Sequence, residues 1–264
     1  MELGLGGRRA IVTGASRGIG AATARALAAE GARVALIGRD GARLAEVAAD
    51  CGGDAGHAVY AVGDLGTAHG VEHTIDACVT GLGGVDILVN NAGSSPVGTL
   101  DDVTDEQWQA AFDLKVMGYV RCMRAVLPAM RAQGFGRIVN VGGTAGLRAT
   151  SGYALAALNA ALVHLTRTTA ELVGPDGVTV VSLHPGPTLT DRLRTMLARP
   201  AEAAGVSVED FAHRHVAREL PLGRVGTADE VARMIVVLCS DVAAFVTGGG
   251  VAIDGGASRG VVGG

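Results

Sequence analysis

Thr13-Gly14-Ala15-Ser16-Arg17-Gly18-Ile19-Gly20 lies between an apolar run, Arg9-Ala10-Ile11-Val12-Thr13, and an alanine-rich helical stretch from Gly20 to Glu30. Glycines in such a loop let the backbone turn tightly and approach a pyrophosphate, which then sits at the positive N-terminus of a helix. A glycine triplet alone says little in a chain with 41 glycines among 264 residues. Context decides it. Strand, loop, helix and a second apolar strand, Arg33-Val34-Ala35-Leu36-Ile37, form one unit of about thirty residues. The stretch therefore reads as a dinucleotide-binding loop opening an α/β fold.

Outward from that unit, short Val/Ile/Leu runs continue to alternate with helical stretches. They fall at His57–Val62, Val85–Asn90, Arg137–Val141, Val178–Leu183 and Gly250–Asp254. Continuous apolar strands separated by helices predict a seven-stranded parallel sheet with helices on both faces. Right-handed crossovers make it a doubly wound, Rossmann-like sheet with its ligand crevice at the strand C-termini. At those ends stand Gly14, Gly38-Arg39, Asp64, Asn90-Asn91-Ala92-Gly93, Gly142-Gly143 and Pro185-Gly186. No repeat or linker divides the chain, so 1–264 reads as one domain. The segment from Thr188 to Leu220 is too long for a plain connection and is expected to form a helical substrate lid.

Composition narrows the partners. A 48% hydrophobic content over this length supports a large core, and a net charge of −4 without a basic run argues against nucleic acid. The N-terminus lacks the apolar segment of a signal peptide, and no run approaches membrane-spanning length. Cys51, Cys78, Cys122 and Cys239 lie far apart, which favours reduced thiols over a disulfide or metal framework. His213 and His215 sit among charges and read as solvated surface. A cytoplasmic protein with a small-molecule ligand, no metal and no membrane or nucleic-acid partner is expected.

Over nearly its full length the chain resembles the short-chain dehydrogenase/reductase family. The resemblance rests on Thr13-Gly-x-x-x-Gly-Ile-Gly20, Asp64-Leu65, Asn90-Asn-Ala-Gly93, Pro185-Gly186 with Thr190, and the closing Gly226-Thr-Ala-Asp-Glu-Val-Ala, Val246-Thr-Gly-Gly and Asp254-Gly-Gly256. It implies that Gly14, Ser16, Ile19 and Gly20 wrap the pyrophosphate and adjoining ribose. Asp64 and Leu65 would border the adenine, Asn91, Ala92 and Gly93 the adenosine ribose, and Pro185, Gly186, Thr188 and Thr190 the nicotinamide. It also implies a homotetramer, or failing that a homodimer, through the long helices after the fourth and fifth strands and through the last strand.

Charge distinguishes the two nicotinamide dinucleotides. NAD-binding relatives carry an acid at the end of the second strand to hold the ribose hydroxyls. Here that position is Gly38, which offers nothing to repel a 2′-phosphate, while Arg39 and Arg17 offer two guanidiniums to clamp it. Asp40 is the one competing partner for Arg39. NADP(H) is the expected cofactor.

The chemistry that the resemblance implies uses a Ser, a Tyr-x-x-x-Lys pair on one helix and an Asn on the preceding helix. This chain departs at each. Gly143 occupies the Ser position and Lys115 the Asn position. Taking Tyr153 as the family Tyr makes Ala157 the Lys position, but it requires two extra residues inside the following helix, turning its buried face by about 200°. An ungapped helix instead puts Leu155 at the Tyr position and Asn159 at the Lys position, with one residue lost from the preceding loop. Loops absorb deletions more readily than packed helices do, so the ungapped register is preferred. Lys and Asn have then exchanged helices, and Lys115, Asn159 and Tyr153 are the candidate catalytic residues. Tyr119 and Thr144 are weaker hydroxyl candidates, expected to pack in the core and in a turn.

The expected activity is an NADPH-dependent reduction, in a rearranged site, of a small to moderate-sized, mostly apolar carbonyl, conjugated enone or iminium. The alternatives are a non-redox dehydratase, cyclase or epimerase on the same fold, or a non-catalytic dinucleotide-binding protein.

Overall fold

Alternation along each strand divides the apolar side chains between two layers. The computed structural model describes residues 2–53, 56–93, 97–147 and 153–258. In chain order the elements are β1 (Arg9–Thr13), α1 (Gly18–Ala29), β2 (Arg33–Gly38), α2 (Gly41–Asp50), β3 (Ala58–Val62), α3 (Ala68–Leu82), β4 (Ile87–Asn90) and α4 (Asp105–Phe112). There follow α5 (Gly118–Ala132), β5 (Gly136–Val141), α6 (Ala157–Val173), β6 (Val178–Pro185), β7 (Thr188–Leu189), α7 (Asp191–Ala203), α8 (Val208–Phe211), β8 (Gly226–Thr227), α9 (Ala228–Cys239) and β9 (Gly250–Ile253).

Seven strands form one parallel sheet in the order β3-β2-β1-β4-β5-β6-β9. Ala10 and Val12 of β1 face one layer, with Leu27, Leu44, Val231 and Ile235. Ile11 between them faces the other, with Ile75, Val126, Met130 and Val173. Helices α1, α2 and α9 thus cover one face, and α3, α5 and α6 the other. The order in which strands are added reverses between β1 and β4, the switch point at whose C-terminal strand ends such sheets bind their ligands. This is the doubly wound sheet that the strand pattern predicts, with small boundary shifts. β3 and β4 start at Ala58 and Ile87, and β6 runs on to Pro185.

Two features lie outside that expectation. β7 and β8 form a separate two-stranded parallel sheet, pairing Thr188 with Gly226 and Leu189 with Thr227. It ties the start of the long segment after β6 to the start of α9. Between those ties stand α7, α8, a π-helical turn at Ala212–Val216 and a 3-10 turn at Ala217–Glu219. Second, α4 and α5 are joined by a π-helical turn, Asp113–Met117, with Lys115 at its centre. No helix among the described residues is long and apolar enough to cross a membrane. The four cysteines are free and buried.

Candidate active site

The glycine loop is built for close approach. Gly14 has φ +64°, and a methyl group added there would come 2.9 Å from the Ala92 Cα. One added at Gly20 would collide with the Gly14 carbonyl oxygen. A side chain at either position would push the loop off the end of β4, so the tight turn requires glycine at both. Thr13 Oγ1 accepts from the backbone N–H groups of Asn91 (2.9 Å) and Ala92 (3.0 Å), locking the ends of β1 and β4 together. The Asn91 amide donates to the carbonyls of Thr13 (3.0 Å) and Gly14 (3.3 Å). Its side chain therefore braces the loop from behind. Ile19 packs on the core below the loop.

Around this loop the other candidate residues gather. Ser16 Cβ lies 3.6 Å from where a methyl on Gly38 would sit, and Thr190 Cγ2 lies 3.6 Å from the same point on Gly18. The end of β2 and the start of α7 thus both reach the glycine loop. Leu65 is buried, while the Asp64 carboxylate accepts from the Gly66 N–H at 3.0 Å. Gly186 donates to the Ile253 carbonyl at 3.0 Å, and Thr188 Oγ1 donates to the Gly186 carbonyl at 3.0 Å, fixing the turn after Pro185. Arg17 and Arg39 are exposed. Asp40 does not compete for Arg39. It caps α2 by accepting from the Arg43 N–H at 3.2 Å and pairs with the Arg43 side chain at 3.5 Å.

Lys115 projects from its π turn into the crevice. Its Nζ donates to the Gly142 carbonyl at 3.5 Å and lies 3.6 Å from where a methyl on Gly93 would sit. The ammonium has no carboxylate partner among the described residues. Burial, and then the positive charge of Arg192, bring its pKa down to about 8. A π turn inserts one residue into a helix and re-aims the side chains that follow, which here turns a lysine inward.

Asn159, on the first turn of α6, is 3% exposed, and its Oδ1 is buried without a hydrogen-bond partner. Its Nδ2 lies 3.3 Å from the position a Gly143 methyl would take, and its Cβ would collide with a methyl on Gly146. Lys115 and Asn159 are thus brought to the same dipeptide, Gly142-Gly143. Leu155 is buried in a small cluster with Val103, Ala111 and Leu158. Tyr153 packs at the edge of that cluster beside Trp108 and Val116, and its hydroxyl accepts from Arg192 at 3.1 Å. The shortened loop that the ungapped register requires includes residues 148–152, which lie outside the described residues. Tyr119 is fully buried and donates to the Val141 carbonyl at 3.0 Å, and Thr144 is buried in a 3-10 turn. Both have the packing roles expected of them.

The enoyl-(acyl carrier protein) reductase family model matches residues 14–258. A 3-oxoacyl-[acyl-carrier-protein] reductase of Synechocystis is 35% identical over 250 residues, covering 94% of this chain and 95% of the relative. A D-beta-hydroxybutyrate dehydrogenase of Cupriavidus necator is 33% identical over 253 residues, covering 96% and 98%. The structure of L-sorbose reductase from Gluconobacter frateurii, complexed with NADPH and L-sorbose, superposes with a TM-score of 0.94 at 32% identity, covering 99% and 100%. The chain belongs to the short-chain dehydrogenase/reductase family.

Within this member of the family, two further residues shape the crevice and are not evident from sequence. His184, the residue before Pro185, is fully buried. Its Nδ1 lies 3.4 Å from the Gly143 carbonyl and its Nε2 2.9 Å from Ser182 Oγ. Burial, outweighing the Gly143 contact, lowers its pKa. The ring bridges Gly143 and Ser182, and the Ser182 hydroxyl donates to the Gly249 carbonyl at 3.3 Å. A methyl added at Gly142 would come 2.8 Å from His184 Nδ1, so the bare Gly142 leaves room for the imidazole. Arg192, on the first turn of α7, is the second. Only the docking of α7 brings it to Tyr153.

Proposed function

We propose that this chain is an NADP(H)-dependent reductase in which Lys115 takes the proton-donor role. The reading rests on the half-buried Lys115 ammonium, unpaired by any carboxylate among the described residues and held at the strand ends beside Gly93 and Gly142. Family membership and the NADPH-bound relative support the cofactor. So do the tight glycine turn at Gly14 and Gly20 and the exposed guanidiniums of Arg17 and Arg39 next to Gly38. Gly14, Ser16, Ile19, Gly20, Asp64, Leu65, Ala92, Gly93, Pro185, Gly186, Thr188 and Thr190 complete the binding set, with Asn91 bracing the loop. When bound, NADPH supplies the hydride.

The protein's own part is to hold the carbonyl and manage its charge. As the oxygen gains electrons, Lys115 Nζ stabilises it and gives up a proton, which solvent then replaces. A donor with a pKa near 8 is almost fully protonated at neutral pH yet releases its proton more easily than an ordinary lysine. Asn159, with its unpartnered buried Oδ1, supplies an acceptor that can orient the ammonium. Lys115 and Asn159 have on this reading exchanged the positions that the family pattern gives to Asn and Lys, which makes the active site non-standard. The α7–α8 segment within 188–220 forms the lid. The substrate is a small to moderate-sized carbonyl, conjugated enone or iminium with an apolar body, matched to Leu193 and Leu197 on α7.

The chain assembles as a homotetramer or a homodimer. Phe245 is fully exposed close to β9, an edge strand with one side unpaired, and Leu172 of α6 is also exposed. Such apolar surface favours burial in an interface. The buried free cysteines fit the reducing cytoplasm.

NADPH consumption with a panel of ketones, enones and imines tests the reading. Turnover that falls at least a hundredfold in Lys115→Ala and modestly in Tyr153→Phe supports it. Turnover of the panel by Lys115→Ala at the wild-type rate contradicts it.

A further inference from the structure

The loop that leads into α3 and the π turn that carries Lys115 are tied together by residues of α4 and α5. Arg121, one turn into α5, donates from Nη1 to the Gly66 carbonyl at 3.0 Å. Its Nη2 lies 3.8 Å from an oxygen of Asp113, the first residue of the π turn. Gln109 of α4 donates to the other Asp113 oxygen at 2.8 Å. Gly118 closes the turn by donating its N–H to the Asp113 carbonyl. It also lies against the loop, since a methyl added there would come 2.9 Å from the Leu65 carbonyl oxygen. The loop is closed on itself: the Asp64 carboxylate accepts from the Gly66 N–H at 3.0 Å, and the Asp64 carbonyl accepts from Thr67 Oγ1 at 3.1 Å.

Of these ties, the guanidinium–carbonyl hydrogen bond is the strong one, and a part-exposed ion pair at 3.8 Å adds little. The π turn they hold has a discrete alternative. Re-pairing it as ordinary α-helix moves the residues on one side by about 100° around the axis. What fixes Gly66 to α5 therefore bears on where the Lys115 ammonium points. We propose that Arg121 is a positioning residue, joining the Asp64–Gly66 loop to the π turn so that the adenosine half of the cofactor, bound at that loop, sets Lys115. This rests on the reductase reading above, in which Asp64 and Leu65 take the adenine and Lys115 the carbonyl oxygen. An occupied loop holds Gly66 in place and, through Arg121 and Gly118, keeps the turn in its π form. Two sites coupled in this way bias one shared element with two arrangements.

Lys115 is the one lysine among the 22 Lys and Arg residues of the chain, so amine acetylation reports on it and on the N-terminus alone. Its rate with dilute acetic anhydride is followed by mass spectrometry, with and without saturating adenosine 2′,5′-bisphosphate, the adenosine half of NADP. Calorimetric titration of this fragment shows in each variant that the loop is folded and occupied. In the wild type the fragment is expected to slow Lys115 acetylation at least about fivefold and to leave the N-terminus unchanged. Arg121→Met is expected to bind the fragment yet show less than about twofold slowing. Arg121→Lys, with a charged donor for the Gly66 carbonyl, should stay nearer the wild type. Asp113→Asn loosens the weaker tie from the side of the turn and should lose part of the slowing. Bound fragment without slowing in the wild type, or equal slowing in Arg121→Met, would overturn the proposal and leave the reductase reading standing. A fragment that does not bind would remove the adenine site, and the proposal with it. Slowing as expected, without NADPH-driven reduction of any ketone, enone or imine, would keep the coupling and defeat the reductase reading.

Discussion

Lys115 and Asn159 converge on one dipeptide from two different helical segments. The ammonium reaches the Gly142 carbonyl at 3.5 Å, and the amide nitrogen lies 3.3 Å from where a side chain on Gly143 would begin. A serine at 143 would therefore crowd Asn159. On the proposed reading, absence of a side chain at Gly143 and presence of an amide at 159 belong to one rearrangement.

If that rearrangement is an exchange, its halves depend on each other. Lys115→Asn leaves two amides and no cation at the crevice floor, and Asn159→Lys leaves two ammoniums. The double variant Lys115→Asn with Asn159→Lys is expected to bind NADPH better than either single one, by a coupling of about 1–2 kcal/mol. Fluorescence titration of the cofactor measures it. Simple additivity of the two changes would show that the residues do not share a site.

Cofactor choice follows from Arg17, Arg39 and Gly38. NADPH is expected to bind at least about tenfold more tightly than NADH, with the margin reduced in Arg39→Ala. Titration with both cofactors checks it, and an unchanged preference in Arg39→Ala would remove that residue from the clamp.

Burying a cation has a cost in stability. The Lys115 pKa is lowered from 10.5 to about 8, so below about pH 8 the folded state holds an ammonium it disfavours. As pH rises from about 8 to 10.5, the unfolded chain retains the proton that the folded chain has lost, and this cost disappears. Lys115→Met is accordingly expected to stabilise the protein by about 1–3 kcal/mol at pH 7, and by less at pH 10. Urea denaturation at the two pH values measures it. A destabilised Lys115→Met at pH 7 would contradict the burial argument.

The start of α9 makes a separate stability prediction. Thr227 accepts from the Glu230 N–H at 3.2 Å while the Glu230 carboxylate accepts from the Thr227 N–H at 2.9 Å. Thr227→Ala is expected to cost about 1 kcal/mol, read as a lower urea midpoint with an unchanged slope. No change in the midpoint would mean the cap is redundant.

Assembly is checked by light scattering at micromolar concentration. A homotetramer or homodimer is expected, and Phe245→Glu at the exposed surface near β9 should shift it toward smaller species. A wild-type monomer would refute the assembly.

The sheet is legible in the sequence because each strand is an apolar run whose neighbours are also apolar, so local pattern and tertiary burial agree. The glycine loop is legible because backbone approach demands residues without Cβ. Other features depend on contacts between distant segments. The Asn91 amide finds the Thr13 and Gly14 carbonyls only once β1 and β4 lie side by side. Arg192 meets Tyr153 only after α7 folds back, and in sequence it is one of many arginines. His184 is hidden for the same reason, since its slot exists only where Gly142 on the adjacent strand lacks a side chain. The π turn at Lys115 leaves no local signature that separates it from ordinary helix.

Proton donation by Lys115 has a kinetic signature. It is read in the pH dependence of kcat/KM for NADPH-driven reduction by the wild type, Lys115→Met and Tyr153→Phe. With Lys115 as donor, the wild-type rate falls as pH rises through about 8, where the ammonium is lost. Lys115→Met is slow and loses that limb of the profile, while Tyr153→Phe keeps it. A Lys115→Met enzyme as fast as wild type with the same limb, together with an inactive Tyr153→Phe, would contradict this mechanism and make Tyr153 the donor.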